Sequence, residues 1–219
     1  MKKIITISRE YGSGGRDVGR LLAEELGLPV FDKEIMSMAM EKSGMSADVI
    51  EKRSESISSK FLANLRRLSL SVPNTRVPSG FNSYALATSA NKMIDDDRLF
   101  HSQAAAIREI AGQGGCVIVG RCASHILRQH PDLLAVFISG EFDCRVRRTV
   151  ETYNMPEKNA ADNVKKIDRH RANHYKLYTG QNWGGIENYD LVVNTSYSGI
   201  DGAVAVIKAM LDATINSAT

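Results

Sequence analysis

The sequence predicts an α/β fold in which parallel strands alternate with helices that cover both faces of one sheet. Five short apolar runs, typical of buried strands, are separated by segments with helical periodicity. A glycine-rich turn joins the first run to the first helix. The 219 residues suit one α/β domain with an inserted lid better than two complete domains.

The first elements form a strand, a glycine turn and a helix. Residues 3–8 are a β-branched run that predicts a buried strand, which ends before the GSGG segment at 12–15. Apolar residues then recur at spacings of three and four from Arg16 onward, and Gly27 ends this helix. Residues 28–32 predict a second short strand.

The next segment is expected to be mainly helical with one long loop. We predict a helix over 33–43 and an amphipathic helical stretch over 46–70. Residues 71–91 contain prolines, serines, asparagines and a glycine with weak periodicity, which predicts a long mobile loop. A helix from residue 95 or 96 to about 111 follows.

The second half of the chain completes the alternation. Strands are predicted at 116–120, 133–139 and 189–195. Helices are predicted over 142–153, from 156 to about 173 or 176, and over 199–215.

Composition and charge exclude several classes of function. The chain is 43% hydrophobic and 24% charged, as in an ordinary globular protein, and its net charge of +3 is too small to indicate a nucleic-acid binder. Its apolar runs span about five residues, whereas a membrane span needs about 20. The three cysteines have no metal-binding spacing. We therefore expect a cytoplasmic protein that binds neither nucleic acid nor a membrane.

A strand followed by GSGG and a helix has the geometry of an anion-binding turn. Glycines allow backbone N–H groups to converge on a phosphate, and the helix N-terminus adds a partial positive charge. The alternative is an ordinary strand-to-helix turn that binds nothing.

Four segments resemble the cytidylate kinase-like family. ITISREYGSGGRDVGRLLAEELGLPVFD is similar to the opening of the cytidylate kinases, and VIVGRCASHIL, FISGEFDCRVRR and YDLVVNTSYSGIDGAVAVI are similar to their later strands and helices. The resemblance implies a P-loop fold with a five-stranded parallel sheet and ATP- and Mg²⁺-dependent phosphoryl transfer. The acceptor would be a nucleoside monophosphate of cytidylate type, or another small phosphate or hydroxyl acceptor.

The resemblance also implies how a single kinase domain over 1–219 is divided. The core would comprise residues 1–45, 101–144 and 186–219, with a helical acceptor-side insertion over about 46–100 and an arginine-rich lid over about 145–185. The insertion could equally form a homodimer interface.

The expected nucleotide-binding loop lacks the usual lysine. A standard P-loop reads G-x-x-x-x-G-K-[ST]. With GSG aligned at 12–14, the lysine position holds Gly15 and the first glycine position holds Arg9. Arg16 is the nearest cation, and an alignment shifted by one residue puts Arg16 at the lysine position and Asp17 at the Ser/Thr position. In either alignment Asp17 falls near the position that usually holds Mg²⁺; the alternative for both residues is an exposed first turn. The candidate nucleotide-binding residues are Gly12, Ser13, Gly14, Gly15, Arg16 and Asp17, with Asp17 also the candidate Mg²⁺ ligand.

The acceptor side departs further from the cytidylate kinases. Their second strand ends in an aspartate followed by a serine and an arginine that hold the nucleotide; here Asp32 matches, but Lys33 and Met38 occupy the other places. Of their Asp-Gly-Arg-Asp pattern, only Gly120 and Arg121 are kept. We predict Asp32 and Arg121 as substrate-binding residues without a cytosine-specific pocket. The alternatives are a helix cap for Asp32 and a structural ion pair for Arg121.

Positive charge concentrates in the expected lid. Residues 145–176 contain nine basic and four acidic residues, so this segment either contacts an anion or is a solvated helix face. Phosphoryl transfer needs positioned cations because charge spreads over the equatorial oxygens. Asp168 could hold one lid arginine in place. The candidate catalytic residues are Arg16, Arg121, Arg145, Arg148, Arg169 and Arg171.

The remaining polar and aromatic residues are given structural interpretations. His170 and His174 could bind a metal, but a polar helix face is favoured because no third ligand is evident. The aromatic residues within 175–183 are expected to anchor the lid rather than stack on a base. Cys122 lies near the expected site without an activating partner.

A second function stays open because the P-loop lysine is missing. The protein could be a nucleotide-binding module that catalyses weakly or not at all.

Overall fold

The computed structural model describes residues 4–32 and 83–216. The helices expected over 33–43 and 46–70, together with Lys33, Met38 and most of the expected insertion and dimer interface, lie outside the described residues. Within the described part, five parallel strands form one sheet in the order β2-β3-β1-β4-β5. The strands are β1 (Ile4–Arg9), β2 (Val30–Phe31), β3 (Cys116–Val119), β4 (Leu133–Ser139) and β5 (Leu191–Asn194).

Helices cover both faces of this sheet, as the sequence predicts. They are α1 (Gly15–Leu26), α2 (Ser83–Gly112), α3 (Ala123–Ile126), α4 (Phe142–Glu151), α5 (Glu157–Thr179) and α6 (Thr195–Asn216), with a 3-10 turn at Ile186–Asn188. One core places α1 and α6 against the sheet through residues such as Val18, Leu22 and Ile207. The other places α2 and α3 on the opposite face through Ile107 and Ala123. No helix in residues 4–32 and 83–216 has the length and apolarity required to cross a membrane.

The predicted loop over 71–91 is wrong in its described part. Helix α2 begins at Ser83 and continues to Gly112. Pro78 and Gly80, which suggested the loop, precede the helix, and no proline or glycine follows before Gly112. Because alanine, leucine and methionine favour helices, this stretch continues without a break into the helix expected from residue 95 or 96.

The first crossover holds the glycine turn at the carboxyl edge of the sheet. Helix α1 lies close to the strands because Gly19 has no side chain: a β-carbon there would lie 2.9 Å from Cγ2 of Val119. The helix starts directly after Gly14, whose φ of 76° is left-handed, and ends at left-handed Gly27. The loops that follow β1 and β3 therefore open at the same edge, where α/β folds bind ligands.

Candidate functional site

The glycine loop (residues 10–16) joins β1 to α1 and is tied to other elements. Gly12 and Gly14 have φ values of 77° and 76°, a left-handed conformation that glycine adopts without steric cost. The buried Ser13 hydroxyl donates to the Glu10 carbonyl at 2.9 Å, and Thr195 of α6 donates to the Ser13 carbonyl at 2.7 Å. The first N–H groups of α1 have no carbonyl partner within their own helix, and the Gly15 N–H donates to the Ser13 hydroxyl at 3.4 Å. The loop therefore has the geometry of a helix N-terminus that suits an anion.

Two arginines of α4 hold the backbone of the glycine loop. Arg145 Nη1 donates to the Tyr11 carbonyl at 3.1 Å, and Arg148 Nη1 donates to the Gly12 carbonyl at 2.8 Å. Arg145 also pairs with Asp168 of α5 at 2.5 Å, and the other carboxylate oxygen of Asp168 accepts the Tyr11 N–H at 2.7 Å. The predicted pairing of Asp168 with a lid arginine is confirmed.

The contact between α4 and the glycine loop leaves no room for a side chain at Gly12. A β-carbon there would overlap the Arg145 carbonyl oxygen and lie 3.0 Å from Cγ2 of Thr149. Helix α4, at the start of the expected lid, is therefore packed directly on the loop.

Arg16 is directed toward the end of β2. Its Nε and Nη2 atoms lie 2.6 and 2.5 Å from Oδ2 of Asp32, while its side chain is 47% exposed. Arg9 Nη2 lies 3.8 Å from the other oxygen of Asp32. Asp32, predicted to bind substrate, thus lies between two arginines in this structure.

A cavity of about 360 Å³ opens where β1 and β3 end, and we call it the strand-end pocket. Its cationic wall consists of Arg9, Arg121 and Arg171. Arg171 donates to the Arg9 carbonyl at 3.0 Å, and its guanidinium lies over the Tyr11 ring, 5.6 Å from the ring centroid. The pocket therefore adjoins the glycine loop at its cationic end.

The arginines of this wall repel one another electrostatically. Burial, and then the charge of Arg171, lowers the pKa of Arg9 to about 9, which still leaves it a cation at neutral pH. Burial also lowers the pKa of Arg121 and of Arg171, against the favourable charge of nearby carboxylates. An anion bound between these guanidinium groups would offset both the burial and the repulsion.

The turn that carries Arg121 is conformationally unusual. Gly120, Arg121 and Cys122 have consecutive positive φ values of 79°, 58° and 56°. Two non-glycine residues in the left-handed region cost conformational energy, and such strain often occurs at functional sites. A β-carbon at Gly120 would overlap Nη1 of Arg9, so the turn leaves space for the Arg9 guanidinium.

The opposite wall of the strand-end pocket is aromatic. Phe100 of α2 stacks on Tyr178 of α5 with ring centroids 4.0 Å apart, and His174 lies 4.9 Å from Tyr178. Trp183 packs edge-on against Phe137 of the sheet at 5.5 Å. These contacts join the aromatic residues of α5 and of the segment after it to α2 and to the sheet, as an anchor would, while the choice between anchoring and base stacking stays a prediction. Phe100, His174, Tyr175 and Trp183 also line the pocket.

Gln103 lines the same pocket with an unsatisfied oxygen. The residue is 3% exposed, and its Oε1 has no hydrogen-bond partner within residues 4–32 and 83–216. A buried carbonyl without a partner is costly, so a ligand that donates a hydrogen bond there would gain affinity.

Cys122 has a partner that the sequence does not indicate. Its Sγ lies 3.5 Å from Nδ1 of His174. Burial raises the pKa of the Cys122 thiol to about 12 and, together with Arg121, lowers the pKa of His174 to about 4. Both groups are therefore neutral at pH 7, which is unfavourable for a thiolate nucleophile.

The predicted site residues separate into three groups. The glycine loop brings together Gly12, Ser13, Gly14, Gly15, Arg16 and Asp17, and it is held by Arg145 and Arg148. The strand-end pocket brings together Arg121 and Arg171, with Asp32 behind them. Arg169 is exposed on α5 and belongs to neither group.

Arg9 and Gln103 are two of the pocket residues that the sequence-based candidates do not include. Arg9 enters the sequence analysis only as a departure from the glycine pattern, although a cation at a strand end is a usable signal. Gln103 carried no signal, because a single glutamine in a helix is common.

Asp17 is the Mg²⁺ ligand that the sequence predicts, and a single carboxylate is compatible with an ion held mainly by substrate phosphates. It lies in the first turn of α1, next to the glycine loop. Mg²⁺ bound with phosphates needs only one or two protein carboxylates and keeps several waters. No cluster of three His, Cys, Asp or Glu side chains suited to a metal occurs in the described part of the chain.

Comparison with known proteins agrees with this geometry. The sequence profile of the cytidylate kinase-like family matches residues 4–197. The chain belongs to the cytidylate kinase-like family. No curated protein matches it significantly.

Among solved structures, this chain is similar to an uncharacterized protein from Eubacterium ventriosum. It is 25% identical with a TM-score of 0.67, and the match covers 96% of this chain and 99% of that one. A shikimate kinase from Acinetobacter baumannii, in complex with shikimate, is 14% identical with a TM-score of 0.52, covering 97% and 94%. A gluconokinase from Sinorhizobium meliloti is 14% identical with a TM-score of 0.51, covering 99% and 98%. These neighbours show the P-loop kinase fold.

Proposed function

We propose that this protein transfers the γ-phosphoryl group of ATP to a small acceptor that already carries a phosphate, a nucleoside monophosphate being the best fit. The observation that carries the proposal is the position of the cationic strand-end pocket beside the glycine loop. Two anion-binding regions then share one edge of the sheet, so a donor and an acceptor could meet in line.

The donor would bind at the glycine loop. Its glycines and the start of α1 suit the phosphates of ATP through backbone N–H groups. Arg145 and Arg148 hold the loop carbonyls, so they would fix the loop shape from the lid side. Asp17 would hold Mg²⁺, which would neutralise charge on the phosphates when bound.

The acceptor would bind in the strand-end pocket. Arg9, Arg121 and Arg171 place three guanidinium groups at one end, a fork geometry suited to phosphate. Phe100, His174 and Trp183 add flat surfaces that suit a planar ring. A sugar acid would use the cations but not the aromatic wall, which favours a nucleotide over such an acceptor. An acceptor phosphate is already an anion, so no general base is required.

The second candidate is a nucleotide-binding module without efficient catalysis. It is favoured by one observation: the usual P-loop lysine position holds Gly15. Loss of a charge-assisted hydrogen bond costs about 1.5–3 kcal/mol, and it would affect the transition state more than ATP binding.

The test measures ADP release from Mg·ATP with five acceptors: cytidine, deoxycytidine, uridine, adenosine and guanosine monophosphates. The corresponding nucleosides, which lack the phosphate, serve as matched controls. We expect turnover with at least one monophosphate and at least about a hundredfold lower kcat/KM with its nucleoside, since several charge-assisted bonds are lost. Arg121→Met should raise the acceptor KM, while Arg147→Met on the exposed face of α4 should not.

Two outcomes would contradict the proposal. Equal turnover with a nucleoside and its monophosphate would show that the pocket does not use the phosphate. ATP binding without turnover on any acceptor, including shikimate and gluconate, would favour the binding module.

A further inference from the structure

We propose that Arg9 supplies the cation that the P-loop lysine supplies elsewhere, and that Arg9 and Gly15 are a reciprocal exchange of the glycine and lysine of the motif. This inference rests on the proposed phosphoryl transfer. It differs from the simplest sequence interpretation, in which the adjacent Arg16 replaces the lysine.

The first step of the argument is steric. A β-carbon at Gly15 would lie 2.5 Å from Cβ of Arg9, 3.0 Å from its Cγ and 3.2 Å from Cβ of Ile138. Real side chains do not approach so closely, so the space that a lysine at position 15 would enter is filled by the Arg9 stem. A standard loop has glycine at the first position of the motif and lysine at the seventh. With GSG aligned at 12–14, this chain has Arg9 at the first position and Gly15 at the seventh, so the side chain and the glycine have changed places.

The second step is the location of the Arg9 charge. The guanidinium lies against Gly120, at the end of β3, where a β-carbon would overlap it. It lines the strand-end pocket, while its own backbone carbonyl accepts from Arg171 beside the glycine loop. Arg9 thus belongs to both regions, since its backbone adjoins the glycine loop and its guanidinium lines the pocket in which the acceptor would bind.

The third step compares Arg9 with Arg16. Both approach Asp32, but Arg16 lies 2.5 Å from one oxygen, whereas Arg9 Nη2 lies 3.8 Å from the other. Arg16 is 47% exposed and Arg9 is 18% exposed. Arg9, the less exposed cation with the longer ion pair, is therefore the better placed to meet a transferred phosphoryl group in a low-dielectric environment.

The role of Arg9 in the reaction is electrostatic. The bond between the γ-phosphorus and the bridging oxygen of ATP breaks, and a bond forms from the acceptor phosphate oxygen to the same phosphorus. Negative charge moves onto the ADP oxygen, and the Arg9 guanidinium donates hydrogen bonds to the transferred oxygens throughout. Arg9 keeps its proton, so the transfer balances without an acid or base.

The experiment begins with Arg9→Met, which keeps the stem over Gly15 but removes the charge. We expect kcat to fall at least about a hundredfold. We also expect ATP to bind about tenfold more weakly and ADP to lose less affinity than ATP, because ADP keeps the β-phosphate but lacks the γ-phosphate. A merely structural role would weaken ATP and ADP alike. Arg9→Lys should recover part of the turnover, and Arg20→Met, on the exposed face of α1, is the matched control.

The second arm tests the exchange directly. Gly15→Lys alone should reduce thermal stability and turnover because its stem meets Arg9. Arg9→Gly alone should lose turnover because the cation is gone. The double variant Arg9→Gly/Gly15→Lys restores the standard order, so it should exceed Arg9→Gly in turnover by at least about tenfold and exceed Gly15→Lys in melting temperature.

The outcomes separate this inference from the proposed function. The assignment of Arg9 is overturned, while the kinase stands, if Arg9→Met folds and keeps both wild-type turnover and the wild-type preference for ATP over ADP. It is also overturned if Arg16→Met, and not Arg9→Met, loses turnover and ATP affinity. If the wild-type protein turns over no acceptor, the kinase proposal fails, and the ATP-to-ADP affinity ratio of Arg9→Met still tests Arg9 by itself.

Discussion

Replacement of Arg145 by methionine should release the glycine loop from the lid helices. The side chain is 9% exposed and pairs with Asp168 at 2.5 Å and with Glu10 at 3.4 Å. It also donates to the carbonyls of Tyr11 at 3.1 Å and Gly140 at 2.9 Å. Methionine keeps much of the volume of arginine but forms none of these hydrogen bonds or ion pairs. The loss in the free energy of unfolding therefore measures what these polar contacts contribute.

The magnitude follows from the two carboxylates left behind. Removal of one partner from a buried ion pair costs about 3–5 kcal/mol. Here Asp168 and Glu10 are 17% and 25% exposed, so water compensates in part. We expect the free energy of unfolding to fall by about 3 kcal/mol, a large share of the roughly 5–15 kcal/mol of a typical domain. Arg147→Met, on the exposed face of the same helix, should change it by less than about 0.5 kcal/mol.

The pH dependence of this loss distinguishes charge from packing. Burial raises the pKa of Glu10, while the Gly140 N–H and Arg145 lower it. Without Arg145 the folded-state pKa of Glu10 rises further above its unfolded value, so the folded variant binds an extra proton at mildly acid pH. Its stability is then higher at low pH and is lost as pH rises through the folded pKa.

Urea unfolding of both variants and the wild type at pH 5 and pH 8 tests this reasoning. The deficit of Arg145→Met should be larger at pH 8 than at pH 5. A deficit that is equal at the two pH values, or below about 1 kcal/mol at both, would show that the ion pairs contribute little and that α4 is held to the loop by packing.

Three further predictions address the loop, the pocket and its buried histidine. Gly12→Ala should cost more than Gly27→Ala in urea unfolding, because both glycines have left-handed φ but only a β-carbon at Gly12 meets a carbonyl; equal costs would contradict the tight loop–lid contact. Gln103→Leu should leave stability unchanged or raised, yet increase the acceptor KM about tenfold with ATP KM unchanged, because an unpaired oxygen is removed from the pocket. For His174, burial lowers the pKa from 6.5 to about 4, so the unfolded chain binds the extra proton between these values. Each pKa unit corresponds to about 1.4 kcal/mol, so up to about 3 kcal/mol of the free energy of unfolding should be lost as pH falls from 6.5 to 4. In acid unfolding, His174→Gln should not show this part of the pH dependence.

The fold could be predicted because its signals are local. Each strand is a short apolar run between turn residues, and α1 ends at a glycine that the structure places in the left-handed region. The expectation failed at 83–91, where serine and asparagine suggested a loop although no proline or glycine interrupts the helix. A polar composition with helix-compatible residues does not distinguish the two.

The residue types of the site could be predicted from the sequence, but the orientations of its side chains could not. Asp168 was expected to hold a lid arginine because carboxylates next to basic clusters usually pair. The orientation of Arg16 on α1 depends on Asp32, which is sixteen residues away and directly follows β2, so the sequence alone favours Arg16 as the cation nearest to the loop. The position of Arg9 depends on the contact of its stem with Gly15, which only the packing of β1 against α1 defines.

The most direct test of the central claim follows the γ-phosphoryl group of labelled Mg·ATP in the presence of the best monophosphate acceptor. The account predicts that the label appears on the acceptor as a nucleoside diphosphate, in amounts equal to the ADP formed. Label released only as inorganic phosphate, or retained on ATP bound to the protein, would contradict a kinase that uses the strand-end pocket for its acceptor.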